Sequence, residues 1–112
     1  MAVYVSNIVI NSGTTFSETF TLESAETNAA FDLTGYSGAA QMRKHAGAST
    51  GHDFTVSIPS PTTNGQIVLE MSATTTSAIK AGRYVYDVVI TLGASKQTVV
   101  EGNVLVREGV TR

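Results

Sequence analysis

Catalysis or metal binding in this chain would have to be built from few residues. His45 and His52 are its two imidazoles, both within the Gly/Ser/Ala-rich stretch 45–53, which reads as one mobile loop. As a metal pair they lack a third ligand that spacing brings to the same point, and a Ser–His–carboxylate relay needs its base on a rigid element. Asp87 and Glu101 are better placed. On adjacent strands they would face each other, and a glycosidase needs two carboxylates set so across a groove. Two acids on a hairpin are more often solvated, however, and no cleft follows from the residues around them. Asp32 reads as an Asx-type turn bonding its own backbone, and Glu18 as a carboxylate at a sheet margin or interface. The glycines are dispersed, so no loop resembles a phosphate cradle. With no cysteine, disulfides, zinc–thiolate sites and thiol nucleophiles are excluded. The expectation is a non-enzyme with no cofactor and no metal.

The elements that must position these residues are strands. Ala81-Gly82-Arg83-Tyr84-Val85-Tyr86-Asp87-Val88-Val89-Ile90 opens on a turn and continues as a β-branched and aromatic run. Alternation puts Tyr84, Tyr86, Val88 and Ile90 on one face and Val85, Asp87, Val89 and Thr91 on the other. Apolar residues on both faces mark a central strand. Upstream, residues 72–82 read as a turn or two of helix, with a hydroxyl residue capping the start and Gly82 ending it. A short helical crossover into a strand that begins with Tyr is how immunoglobulin-type sandwiches form a tyrosine corner, and Tyr84 is the candidate.

The remaining strands follow from alternation and turn residues. Residues 3–10 form a first strand, closed by Asn11-Ser12-Gly13. Residues 14–23 form a second, with Phe16, Phe20 and Leu22 on one face. Ser24 to Ala30 is a polar connection, and 31–36 an anchored loop whose Phe31 and Leu33 plug the end of the core. Residues 36–44 follow as a strand with small Gly38, Ala39 and Ala40 at its start, where a neighbouring sheet or subunit can approach closely. Residues 54–58 stop at Pro59-Ser60-Pro61, and 66–71 put Ile67, Leu69 and Met71 on one face. Gly93-Ala94-Ser95-Lys96 turns into the last strand, 97–107, where Gly102 marks a bulge or a close neighbour. The sum is an all-β, about seven-stranded immunoglobulin-like antiparallel β-sandwich with one short helical crossover near 73–80, a single domain over 1–112.

Composition limits the partners. Apolar residues make up 42% and charged residues only 14%, with a net charge of −2, so the surface is suited to being covered and carries no basic footprint for nucleic acid. No apolar run reaches membrane-spanning length, and Met1 to Ile10 lacks the basic start of a signal peptide. Synthesis and retention in a cytoplasm are expected until the chain joins something larger.

Three groups of segments go further. They are Phe31-Asp32-Leu33-Thr34-Gly35-Tyr36-Ser37 with Ala40-Gln41-Met42-Arg43; Gly65-Gln66-Ile67-Val68-Leu69; and Ala81 to Val88 leading to Val100-Glu101-Gly102-Asn103-Val104. In order and spacing this resembles the immunoglobulin-like β-sandwich domain of tailed-bacteriophage virion structural proteins, and is similar to the N-terminal domain of the baseplate upper protein and to short cyanophage structural proteins. The resemblance implies a virion building block in the tail, baseplate, neck or capsid surface, docked onto other phage structural proteins. Its fold-defining positions are Asp32, Leu33, Gly35, Tyr36, Tyr84, Tyr86, Asp87 and Gly102. In many relatives the domain heads a longer chain. Here the sequence stops at Arg112, which favours a stand-alone adaptor or decoration subunit, homo-oligomeric in the particle. Val85, Val89, Val99 and Leu105, opposite the inferred core face, are the candidate interface, unless the N-terminal strand covers them. A carbohydrate- or host-surface-binding module is the alternative and needs an exposed aromatic platform, for which only Tyr4 is available. A transient assembly factor is the third.

Overall fold

The computed structural model describes residues 4–23 and 29–110. Val3 of the expected first strand and residues 24–28 of the expected polar connection lie outside them. Among the described residues the fold is all-β with one short α-helix and one 3-10 turn at Thr62–Asn64. Its strands are β1 (Tyr4–Val5), β2 (Ile8–Asn11), β3 (Phe16–Thr21), β4 (Ser37–Arg43), β5 (His52–Ser57), β6 (Gln66–Met71), β7 (Gly82–Leu92) and β8 (Ser95–Arg107), with α1 (Ala73–Ser77) between β6 and β7. They form a single curled path, β1-β8-β7-β4-β5-β6-β3, with β2 also on β8. The curl comes from β5, which pairs with β4 through residues 52–54 and with β6 through residues 55–57.

Two departures concern the N-terminal strand. It breaks at Ser6-Asn7 into β1 and β2, and both run parallel to β8, so the sheet is mixed instead of antiparallel. They extend the sheet beside β8 and do not lie over β7 and β8. The break is held by specific bonds: Ser6 N–H donates to Glu101 C=O at 2.9 Å, Tyr86 Oη donates to Ser6 C=O at 2.6 Å, and Asn103 N–H donates to Asn7 Oδ1 at 3.0 Å. Gly102 makes this approach possible, because a Cβ there would collide with the Ser6 carbonyl. Gly102 therefore marks a close neighbour. The bulge lies elsewhere, between Val88 and Val89 of β7 opposite Val99 of β8.

That bulge corrects the expected interface. It brings both Val99 and Val100 into the core at 0% exposure, so Val99 cannot be an interface residue. Val85 and Val89 are half-buried, and Leu105 stays 40% exposed. One buried cluster joins Ile8, Ile10, Met42, Tyr86, Val88, Ile90, Val104 and Val106 to Phe16, Leu22, Ile67, Leu69 and Met71. Each such aliphatic side chain contributes about 1.5–3 kcal/mol of transfer free energy.

The crossover begins as expected, with Ser72 Oγ accepting from Thr75 N–H, but ends at Ala78. Gly82 instead opens β7. Thr76 on α1 is fully buried; its hydroxyl donates to Thr14 C=O at 2.7 Å and accepts from Gly13 N–H at 3.1 Å, tying the helix to the β2–β3 turn.

Candidate functional site

The outward face of β4, β7 and β8 forms the floor of a trough of about 550 Å³. Val85, Asp87, Glu101, Gly102 and Asn103 line the floor, Val5 lines it at the β1 edge, and Arg43, His45 and Ala46 at the other. Pairing register puts these residues together. Asp53, Gln41, Asp87, Glu101 and Val5 are successive neighbours across β5, β4, β7, β8 and β1. Asp87 and Glu101 are thus direct cross-strand partners, both exposed.

The next polar group, Gln41, is committed within the chain. Its Nε2 donates to Asp53 Oδ1 at 2.6 Å, and its Oε1 accepts from Arg43 Nη2 at 2.8 Å. Arg43 Nη1 also donates to Ala48 C=O at 2.9 Å, which fastens the rim of the trough. No corresponding bond holds Asp87 or Glu101 among the described residues. Two like charges directly opposite on neighbouring strands are unfavourable, so this pair is poised to accept an external cation or donor.

The histidines do not converge. His45 lines the trough, whereas His52 belongs to β5 and not to the loop, with its ring edge-on to Tyr84 at 6.3 Å. Lys44 Nζ lies 4.9 Å from the centre of the same Tyr84 ring. Among the described residues no three His, Cys, Asp or Glu side chains are grouped to hold a metal.

The other singled-out residues have structural partners. Tyr84 Oη donates to Lys80 C=O, four residues upstream, at 2.6 Å. Asp32 Oδ1 accepts from Thr34 N–H at 2.9 Å and Thr34 Oγ1 at 2.6 Å, and these bonds hold its carboxyl below the usual carboxylate range. Beside it Leu33 is fully buried, Tyr36 N–H donates to Leu33 C=O, and Gly35 adopts a φ of 82°. Burial pushes the Tyr86 phenol up. Glu18 is exposed on β3, whose only partner in the sheet order is β6. Tyr4 is half-buried and its hydroxyl accepts from Glu23 N–H at 3.0 Å, so it does not present a free platform. Sequence reasoning missed Gln41, Arg43 and Val5 as site residues. The signal for the first two was their alternation on β4.

No family model matches the chain, and no curated protein matches it in sequence. Among solved structures it is similar to InlP of Listeria monocytogenes, at 15% identity and a TM-score of 0.49 over 91% of this chain and 26% of that one. Similarities to a Dscam structure (13%, TM-score 0.41, 94% of this chain and 23% of that one) and to a family 123 glycoside hydrolase from Clostridium perfringens (10%, TM-score 0.41, 100% and 24%) are of the same kind. The chain spans about a quarter of the length of each. No helix among the described residues is long and apolar enough to cross a membrane.

Proposed function

We propose that this chain is a non-catalytic assembly subunit of a tailed-phage virion: an immunoglobulin-like sandwich that docks onto other structural proteins as an adaptor or decoration. The observation that carries this reading is the outward sheet face. Beside the trough it exposes Val9 at 49% and Leu105 at 40%, paired with each other, and Val5 at 75%, paired with Glu101, next to carboxylates with no hydrogen-bond partner among the described residues. Exposed apolar side chains on the same face as uncompensated charge are the composition of a surface that meets another protein.

The resemblance supplies the kind of partner. Its defining residues mostly serve the fold, through the Asp32–Tyr36 loop, the Tyr84–Lys80 bond and the Tyr86–Ser6–Gly102 clasp. That leaves the surface for docking. Quantitative mass spectrometry of purified virions, relative to the major capsid protein, tests the reading. A copy number that scales with capsid protein assigns decoration, one that scales with baseplate or neck proteins assigns an adaptor, and absence from the particle sinks the proposal.

A further inference from the structure

On the outward face of β7, reversing the strand direction about Val85 exchanges Arg83 with Asp87. On β7 the outward positions run Arg83, Val85, Asp87. Their partners on β8 are Leu105, Asn103 and Glu101, with Arg107 one outward position beyond Leu105. Cations therefore occupy one end of the face and carboxylates the other, about 13 Å apart along β7. The apolar residues at the edge follow the same plan: Val9 pairs with Leu105 at the basic end, and Val5 with Glu101 at the acidic end. Arg83, Asp87, Glu101 and Arg107 are all exposed.

From this layout we infer that the face binds a second copy of the same chain, in a face-to-face dimer whose twofold axis crosses the strands above Val85 and Asn103. The inference rests on reading this face as an assembly surface. Such an axis reverses strand direction while keeping strand order, so each row lies over the row equally far on the other side of the axis. Arg83 then meets Asp87 of the second copy, and Leu105 lies over Glu101 of the second copy, toward which Arg107 reaches from one outward position farther along β8. Val5 lies over Val9 of the second copy, and Val85 over its own equivalent. Every contact away from the axis occurs twice, as an isologous interface requires.

The trough fits the same arrangement. Its rim at His45 and Ala46 stands at the edge of the face, on the far side from β1. Arg43, which lies near the axis, is turned into its own chain by Gln41 and Ala48. Four strands about 4.8 Å apart and about six residues long give a face of roughly 400 Å², ignoring side-chain relief. This is below the ~800 Å² per partner of standard interfaces, so the dimer belongs to the weak, concentration-dependent class.

Sedimentation velocity up to about 1 mM protein tests the inference, since that concentration reveals even millimolar association. The wild type is expected to dimerise reversibly, and less at high salt. Arg83→Glu and Asp87→Lys, each checked for folding by circular dichroism, are each expected to be monomeric. An equimolar mixture of the two variants is expected to recover a one-to-one heterodimer, because the Glu at 83 then meets the Lys at 87 and the native Asp87 meets the native Arg83. A monomeric wild type, a variant that dimerises alone as well as the wild type, or a silent mixture overturns the inference. None of these bears on whether the chain is present in particles; absence from particles beside an intact dimer would sink the virion reading alone.

Discussion

Two tyrosines of one strand make hydrogen bonds of the same length to backbone carbonyls, yet they differ in what their loss leaves behind. Tyr84 reaches Lys80, an exposed residue whose carbonyl water can satisfy once the phenol is gone. Tyr86 is buried and holds Ser6 at the break between β1 and β2, where Gly102 packs against the same carbonyl. Tyr84→Phe is expected to cost about 1 kcal/mol, and Tyr86→Phe about 1–3 kcal/mol, because the second strands a poorly hydrated acceptor. Urea denaturation of the two variants side by side checks the order; equal losses would contradict it. Asp32 adds a pH dependence. Its folded-state pKa is depressed, so its contribution is fully present above the unfolded value near 3.8 and is lost as pH falls through the lower folded value. The stability gap between wild type and Asp32→Ala is thus expected to be constant near neutrality and to close below about pH 4. Melting curves across that range would show it, and a gap that widens in acid would contradict the assignment.

At the scale of elements, the buried Thr76 hydroxyl makes two of the bonds that tie the helix to the β2–β3 turn, and Ser12 Oγ adds a third by donating to Thr76 C=O at 3.3 Å. Thr76→Val keeps the shape of the side chain but leaves Thr14 C=O and Gly13 N–H without their partner. The expected loss is about 1–3 kcal/mol for each group left unsatisfied, with earlier hydrogen exchange in residues 12–14 than elsewhere. Uniform exchange would place the tie elsewhere. Thr76 was not legible beforehand, because in the run Ala73 to Ser77 one Thr looks like another until tertiary packing selects it. β6 and β7 were legible, since strict alternation of Ile67, Leu69 and Met71, and of Tyr86, Val88 and Ile90, can be satisfied in only one register. The parallel pairing of β1 and β2 was not, because direction is decided by Tyr86, Gly102 and Asn103, distant in the chain. Gly51-His52-Asp53 has no β-branched signal, so its residues alone read as loop; pairing with Met42 holds His52 in the strand. Unbroken alternation points Val99 outward, and one bulge, which the sequence alone does not signal, turns it into the core.

At the scale of the whole molecule, a chain poor in charge keeps a notable share of it on one sheet face. The pairing of Asp87 with Glu101 followed once β7 and β8 were read as a hairpin; the trough around them depends on the return of the 45–48 rim and the edge position of Val5. The edge at β3 is less suited to adding strands, because exposed Glu18 sits on it. The outward face of β7, β8, β1 and β2 is therefore the proposed assembly surface. Its most direct test is the copy number of this chain in purified virions when a variant carrying Val9→Glu and Leu105→Lys replaces the wild type. Both substitutions fall on exposed positions, so the variant is expected to fold, with a circular dichroism spectrum like that of the wild type. The account predicts that this folded variant is lost from particles that retain the wild-type chain at stoichiometric levels. Incorporation of the variant at the wild-type copy number would contradict it.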